Sequence, residues 1–171
     1  MTGAGITVRA AIGGDVDAVV ALVHSAYRGD SSRAGWTTEA DLLDGLRTNA
    51  DEVRSLLPHF LLAEVDGELV GCCTLIPKDG HAYFGMFAVR PGMQGGGIGS
   101  ALLAAAEART RALGLPAVEM TVLSPRTELI AFYERRGYVA TGEVRPFPYG
   151  DPRFGLPRRD DLTLAVYVKT V

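Results

Sequence analysis

Apolar positions along the chain recur with two periods, and the alternation between them predicts a mixed chain of strands and helices. Ile6–Ala10 reads as a short opening strand. Behind it Val16, Val19, Val20, Val23 and Tyr27 recur at helical spacing after Asp15, a residue able to cap a helix. A polar, glycine-containing stretch, 28–35, leads to Trp36-Thr37-Thr38, where Thr38 and Asp41 form a capping-box pattern ahead of Leu42, Leu43 and Leu46. A second helix is expected there, interrupted near Asn49 and finished by Pro58. Phe60–Val65 and residues 68–76 are β-rich runs joined by Asp66-Gly67, a dipeptide that favours a tight hairpin. Lys78-Asp79-Gly80 turns the chain into a third run, His81–Val89, so three antiparallel strands in series are predicted.

After Val89 the pattern changes to a glycine-rich stretch, 91–99, and then to a strongly helical one, 100–113, which Gly114 and Pro116 terminate. Ala117–Leu123 reads as a strand. Ser124-Pro125 offers an N-cap and a first-turn proline for a helix that reaches Arg136 and stops at Gly137. From Tyr138 the chain is β again. Residues 145–159 hold Pro146, Pro148, Pro152 and Pro157 among aromatics without a regular period, which predicts an ordered surface loop. Residues 162–168 then close the chain as an edge or hairpin strand. There is no internal repeat or low-complexity tract, and 171 residues suffice for one core, so residues 1–171 are expected to form a single domain.

Composition narrows the function classes. Hydrophobic residues make up 47% and charged ones 22%, ordinary values for a globular chain. A formal net charge of −3 gives no general electrostatic reason to bind nucleic acid or an anionic membrane. The apolar run Ala101 to Ala106 is far shorter than the ~20 residues that span a bilayer. The opening Met1-Thr2-Gly3-Ala4-Gly5 lacks the charged and apolar regions of a signal peptide, so a cytoplasmic location is expected. Cys72 and Cys73 are neighbours in an apolar run and read as small core side chains. His24, His59 and His81 show no metal-ligand spacing, and no metal is expected.

The chemistry concentrates in Val89-Arg90-Pro91-Gly92-Met93-Gln94-Gly95-Gly96-Gly97-Ile98-Gly99-Ser100. Glycines allow successive backbone N–H groups to converge without obstruction, and a helix beginning just after them adds its positive pole. Such a loop can cradle a phosphate or pyrophosphate, although a glycine-rich turn can also serve only to change direction. The GxxxxGK[ST] order of a P-loop is missing, which argues against nucleoside triphosphate hydrolysis. Gly95, Gly97 and Ser100 loosely imitate a dinucleotide fingerprint with Glu119 about 20 residues on. A hairpin precedes this loop, however, and the strand continues past Glu119 through Met120-Thr121-Val122, which does not fit that fold.

At these residues the chain resembles the GNAT superfamily of N-acetyltransferases, whose pyrophosphate loop Q/R-x-x-G-x-G/A is matched by Gln94, Gly97 and Gly99. Phe87-Ala88-Val89-Arg90-Pro91 before the loop, the helix behind it, the strand near 118–123 and Ala131-Phe132-Tyr133-Glu134-Arg135-Arg136-Gly137-Tyr138 follow in that family's order. The resemblance implies an α/β (α+β mixed) fold: a mixed, largely antiparallel twisted sheet with a splayed central strand pair, flanked by about four helices. It implies acetyl-CoA as cosubstrate, its pantetheine arm pairing with backbone near Phe87, Ala88 and Val89. The pyrophosphate would lie on Gln94, Gly95, Gly96, Gly97, Ile98, Gly99 and Ser100. Where the family often carries asparagine this chain has Arg126, a candidate for a cofactor phosphate or the substrate.

The implied reaction is acetyl transfer to a primary amine of a small molecule, amino acid or peptide, by direct attack in a ternary complex. Tyr133 matches the family's tyrosine near the thioester sulfur and is the candidate acid; an apolar helical stripe around it also suits a core aromatic. Glu119 is the candidate base, since a carboxylate in an apolar strand is costly to bury unless paired or functional, and a solvated strand face shared with Thr121 is the alternative. His81 and Tyr83 are weaker candidates. Tyr27, Trp36, Phe147 and Tyr149 are expected to line the acceptor pocket, with Asp151 or Arg153 able to pair with a charged substrate. An exposed strand edge near the C-terminus offers a contact for a homodimer. A noncatalytic acyl-CoA sensor is the competing reading.

Overall fold

Leu61 and Leu62, like Cys72 and Cys73, are sequence neighbours that serve opposite faces of one sheet. The computed structural model describes residues 5–27, 43–44, 48–93, 95–123, 125–146, 156–157 and 163–171. Its main sheet contains β1 (Ile6–Ala10), β3 (Phe60–Val65), β4 (Glu68–Lys78), β5 (His81–Val89), β6 (Ala117–Leu123), β7 (Val139–Pro146) and β9 (Thr163–Thr170), in the order β1-β3-β4-β5-β6-β9-β7. A separate ladder joins β2 (Leu43–Asp44) to β8 (Leu156–Pro157). Every pairing is antiparallel except that of β5 with β6. The mixed, largely antiparallel architecture expected from the sequence is therefore present.

Two helices cover one face. In α1 (Val16–Tyr27), Val16, Val19, Leu22, Val23 and Ala26 are buried with Val53 of α2 (Ala50–Leu56) against Phe60, Leu62, Cys72, Met86 and Ala88. The other face carries α3 (Ile98–Ala112) and α4 (Thr127–Glu134) over Leu61, Cys73, Phe84, Phe87, Val118 and Met120. Helix α3 lies very close to the sheet at Gly71, where a Cβ would stand 2.8 Å from Ile98 Cγ2 and 3.2 Å from the Ala88 carbonyl oxygen. At its far end, the buried Tyr138 hydroxyl donates to Glu107 at 3.0 Å and Lys169 Nζ donates to the same carboxylate at 3.1 Å, fastening α3 to β9. Burial and this carboxylate push the Tyr138 phenol up from its ordinary value, so it stays a donor.

Several local expectations change in three dimensions. The helix expected after Thr38 does not extend through Leu43–Asp44, which is strand, because its ladder with β8 overrides the local capping signal. Asn49 instead starts α2, its side chain accepting the Glu52 N–H at 2.9 Å. Asp15 lies in a single 3₁₀ turn, Gly13–Asp15, ahead of α1; it accepts from the Ile12 N–H and pairs with Arg9 at 2.9 Å, clasping β1 to the helix entrance. Helix α4 starts at Thr127 rather than at Ser124-Pro125, since Arg126 N–H is committed to a turn with the Leu123 carbonyl. The closing strand β9 is interior, because β7 folds back along it and takes the edge. The Asp66-Gly67 turn is as expected, with both residues at positive φ, 52° and 78°.

Gly71→Ala is expected to lose about 1–3 kcal/mol of unfolding free energy through overpacking against α3 and the β5 backbone, read from the urea midpoint.

Candidate functional site

Three glycines set the path of the loop between β5 and α3. Gly92, Gly95 and Gly97 have φ of 86°, 90° and 88°, a region that side-chain-bearing residues rarely adopt. The start of the loop is tied down: Arg90 donates from its backbone to the Val70 carbonyl at 2.8 Å and from its side chain to the Leu69 carbonyl at 2.7 Å. Gly97 is the N-cap of α3 and has no side chain with which to satisfy the first-turn N–H groups, whereas Asn49 does so for α2. The first turn of α3 holds no acidic residue either. Gly95, Gly96, Gly97, Ile98, Gly99 and Ser100 thus place a glycine-rich backbone at the positive pole of α3, where an anionic group is stabilised. Gln94 lies outside the described residues.

Gly99 has a different reason to be glycine. A Cβ there would meet the Phe87 ring at 2.9 Å and the Phe132 ring at 3.4 Å, so its role includes packing the helix onto β5. Gly96 has no such restriction: its backbone is ordinary and a Cβ would stand 3.4 Å from the Met93 carbonyl oxygen.

The central strands part beside this loop. The parallel ladder of β5 and β6 consists of Ala82↔Val118 and Tyr83↔Glu119, and the strands diverge toward their C-terminal ends, where β5 enters the glycine loop and β6 leads to α4. Just past the last pair, β5 bulges. Thr74 faces Gly85 while Cys72 faces Ala88, which leaves one extra residue on β5, and Met86 takes a positive φ of 47°. The Cys72 thiol donates to the Met86 carbonyl at 3.3 Å. Because the bulge changes side-chain parity, Phe84 and Phe87 share a face, with ring centroids 5.3 Å apart. Tyr133 packs edge-on to Phe84 at 6.3 Å and also contacts the Phe87, Phe132 and Tyr138 rings; it is 3% exposed. Phe87, Ala88 and Val89 are all buried.

The opposite face of the parting strands is polar. The side chain of Glu119 is only 16% exposed, with one oxygen 3.2 Å from His81 Nε2 and the other 3.4 Å from Arg145 Nη2. Beside it, the Tyr83 hydroxyl and Thr121 Oγ1 share a 2.6 Å hydrogen bond. Candidates separated by up to 38 positions are thus one cluster. Arg145 reaches it from β7 while also holding Glu143, and these two carboxylates keep its guanidinium above the ordinary arginine range. Glu119 is thus paired on a partly exposed strand face that it shares with Thr121.

Arg136 and Arg145 escaped the sequence reading, as did the bulge. Arg136 stacks on the Phe132 ring at 3.6 Å and donates to Ser100 Oγ at 2.7 Å, joining the end of α4 to the first turn of α3. The only signal for it was the basic pair before Gly137, which is ordinary at a helix C-terminus. Arg126, the N-cap of α4, is 7% exposed and so does not extend into open solvent. Of the expected acceptor-pocket residues, Trp36, Phe147 and Tyr149, with Asp151 and Arg153, lie outside the described residues, as does the side chain of Tyr27. The β2–β8 ladder pairs Leu43–Asp44 with Leu156–Pro157. No cluster able to hold a metal ion occurs among the described residues, and no helix there is long and apolar enough to cross a membrane.

The described residues thus place a sheet that opens beside a glycine-rich loop at a helix N-terminus. The model of the acetyltransferase (GNAT) family matches residues 20–138, and the chain belongs to that family. It is 34% identical over 147 residues to the mycothiol acetyltransferase of Streptomyces avermitilis, covering 82% of this chain and 44% of that protein. The chain thus spans less than half the length of this relative. Its fold is like that of N-acetylglutamate synthase from Neisseria gonorrhoeae complexed with coenzyme A and N-acetyl-glutamate, with a TM-score of 0.69 at 20% identity over 99% of this chain and 36% of that one. It is also like yncA of Salmonella typhimurium with its cofactor acetyl-CoA, with a TM-score of 0.70 at 19% identity over 97% of this chain and 94% of that one.

Gly96→Asp puts a carboxylate in the cradle without a forbidden φ or a core clash. Calorimetric titration is expected to show coenzyme A affinity reduced at least ~100-fold with an unchanged melting temperature, because the added charge opposes the bound anion. Unchanged affinity would remove this loop from the binding site.

Proposed function

We propose that this domain transfers the acetyl group of acetyl-CoA to a primary amine of a small molecule, an amino acid or a peptide, by direct attack in a ternary complex. The observation that carries the reading is the parting of β5 from β6, with the glycine cradle at the open end and the Glu119 cluster at the closed end. Family membership supports the acyl donor. The mycothiol acetyltransferase relative and the N-acetylglutamate synthase neighbour support an acceptor of small-molecule size.

When bound, acetyl-CoA supplies a thioester carbonyl for the amine to attack and a thiolate to leave. The backbone N–H groups of Gly95 to Ser100 would hold its pyrophosphate, and Phe87, Ala88 and Val89, where the strands diverge, would flank the pantetheine arm. A lysine-like amine with a pKa near ~10.4 is mostly protonated at neutral pH, so reaching its nucleophilic form costs roughly 4–5 kcal/mol. Glu119, with His81 in contact, receives that proton. The Tyr133 hydroxyl, shielded among aromatic rings on the other face, donates to the departing sulfur. The N–C bond forms as the C–S bond breaks.

Turnover against a panel of amines, followed by release of free thiol, tests the reaction. An acyl-CoA sensor would bind the cofactor and release no thiol with any acceptor.

Tyr133→Phe keeps the ring packing and deletes the proton. Acetyl transfer in a single turnover is expected to fall ~10²- to 10⁴-fold while stability changes by at most roughly 1–2 kcal/mol. A rate within threefold of wild type, roughly 0.7 kcal/mol, would leave Tyr133 as packing alone.

Glu119→Gln is expected to lower the rate ~10²-fold or more at neutral pH and to recover partly as rising pH frees the amine, with coenzyme A affinity unchanged. A pH–rate profile identical to wild type would pass the role to His81 or solvent.

A further inference from the structure

The guanidinium of Arg145 is only partly used by the protein. Its Nε donates to Glu143 on the same strand, and its Nη2 reaches Glu119 Oε1 at 3.4 Å, a distance beyond the range of about 2.7–3.2 Å for a well-formed N–H···O bond. Among the described residues Nη1 has no partner. The Nη1–Nη2 edge, which can take a carboxylate by two parallel bonds, is therefore left largely unsatisfied. Side-chain exposure rises from Glu119 at 16% through Arg145 at 39% to Glu143 at 53%, so the guanidinium lies on the solvent side of Glu119.

We propose that the acceptor is an α-amino acid, and that Arg145 holds its carboxylate while its amine meets Glu119. The inference rests on the acetyl-transfer reading above, in which Glu119 takes the proton of the amine, and it narrows the acceptor to one with a free carboxylate beside the amine.

Spacing supports that adjacency. Bonds of about 1.46 and 1.52 Å put the nitrogen of an α-amino acid roughly 2.5 Å from its carboxyl carbon. Glu119 Oε1 and Arg145 Nη2 stand 3.4 Å apart. The two charges of the ligand can lie side by side along that pair, ammonium on the carboxylate and carboxylate on the guanidinium, with the signs alternating. A longer spacer between the ligand's charges would lose this match.

Charge gives the same answer. An amine with no anion of its own would bring its ammonium to an oxygen that already faces a guanidinium, a like-charge approach at close range. A carboxylate on the adjacent carbon offsets that repulsion. It also draws the guanidinium away from Glu119, and a carboxylate released from a cation is the better base. Glu143 keeps its hold through Nε, so Arg145 can change partners at its Nη edge without leaving its place at the end of β7. Both carboxylates keep the guanidinium charged.

Acetyl-CoA turnover, read as released thiol, against L-amino acids and their α-carboxamides tests the assignment, because each pair differs only in the group that Arg145 would hold. Rates are compared at equal concentrations of unprotonated amine. The best acid is expected to exceed its amide by about 10- to 100-fold in kcat/KM, the size of one hydrogen bond to a charged group. Arg145→Gln should bring that ratio within about threefold, whatever it does to the two in common, and Arg145→Lys, which keeps the charge and loses the fork, should give an intermediate ratio. Melting temperature and coenzyme A affinity are followed in both variants, and the wild-type ratio needs no variant to fold. Amides, simple amines or peptides turned over by the wild type as well as the acids, or a ratio unchanged in the folded variants, would overturn the proposal while leaving acetyl transfer intact. Release of no thiol with any acceptor would remove both readings.

Discussion

Two parallel strands that pair at one end and part at the other impose the constraint on which the site depends. An opening in the middle of a sheet exposes backbone and apolar side chains that a continuous sheet would cover, so flanking elements must keep it from collapsing or fraying. Here the pairing at Tyr83↔Glu119 fixes the vertex. On one side α3 is pressed onto β4 through Gly71 and onto β5 through Gly99, and its far end is bound to β9 by the buried Glu107 and Lys169 pair. On the other side β6 is held along its whole length by β9, from Ala117↔Thr170 to Leu123↔Leu164. Each parted strand is therefore anchored away from the gap.

The bulge at Met86 divides the labour between the faces. A regular strand would send Phe84 and Phe87 to opposite sides. The extra residue gathers both under α3 and α4, where they meet Phe132 and Tyr133, and leaves His81 and Tyr83 on the face that holds Glu119 and Thr121. Tyr133 and Glu119, to which the proposed reaction gives the two proton transfers, consequently lie on opposite faces of the same strand pair. Such separation lets each keep its own environment, an aromatic one for Tyr133 and an ion-paired one for Glu119.

How far the sequence revealed this follows from the range of each interaction. The hairpin at Asp66-Gly67, the glycine loop and α1 were legible because each is specified by residues within one or two turns of one another. The strand at Leu43–Asp44 was not, because its partner lies at Leu156–Pro157 and the local signal pointed to helix. The interior position of β9 likewise depends on where β7 folds back, which no local pattern encodes. At the site, Glu119, His81 and Tyr83 were individually visible as polar residues in apolar strands. Their union required the parallel pairing of β5 with β6, and the addition of Arg145 required a side chain reaching over from β7.

That reach ties Glu119 to two different strands. Arg145 lies at the end of β7, immediately before the segment that leads to β8, and β8 is laddered to β2 beyond α1. Glu119 therefore has one contact to β5, through His81, and one to the end of β7, through Arg145. The contact to Arg145, at 3.4 Å, is the longer of the two. The first turn of α3 is held differently, because Gly99 packs on the Phe87 and Phe132 rings and Arg136 donates two hydrogen bonds to Ser100. The first turn of α3 is thus held by ring packing and hydrogen bonds, and Glu119 by side chains that reach it from two different strands.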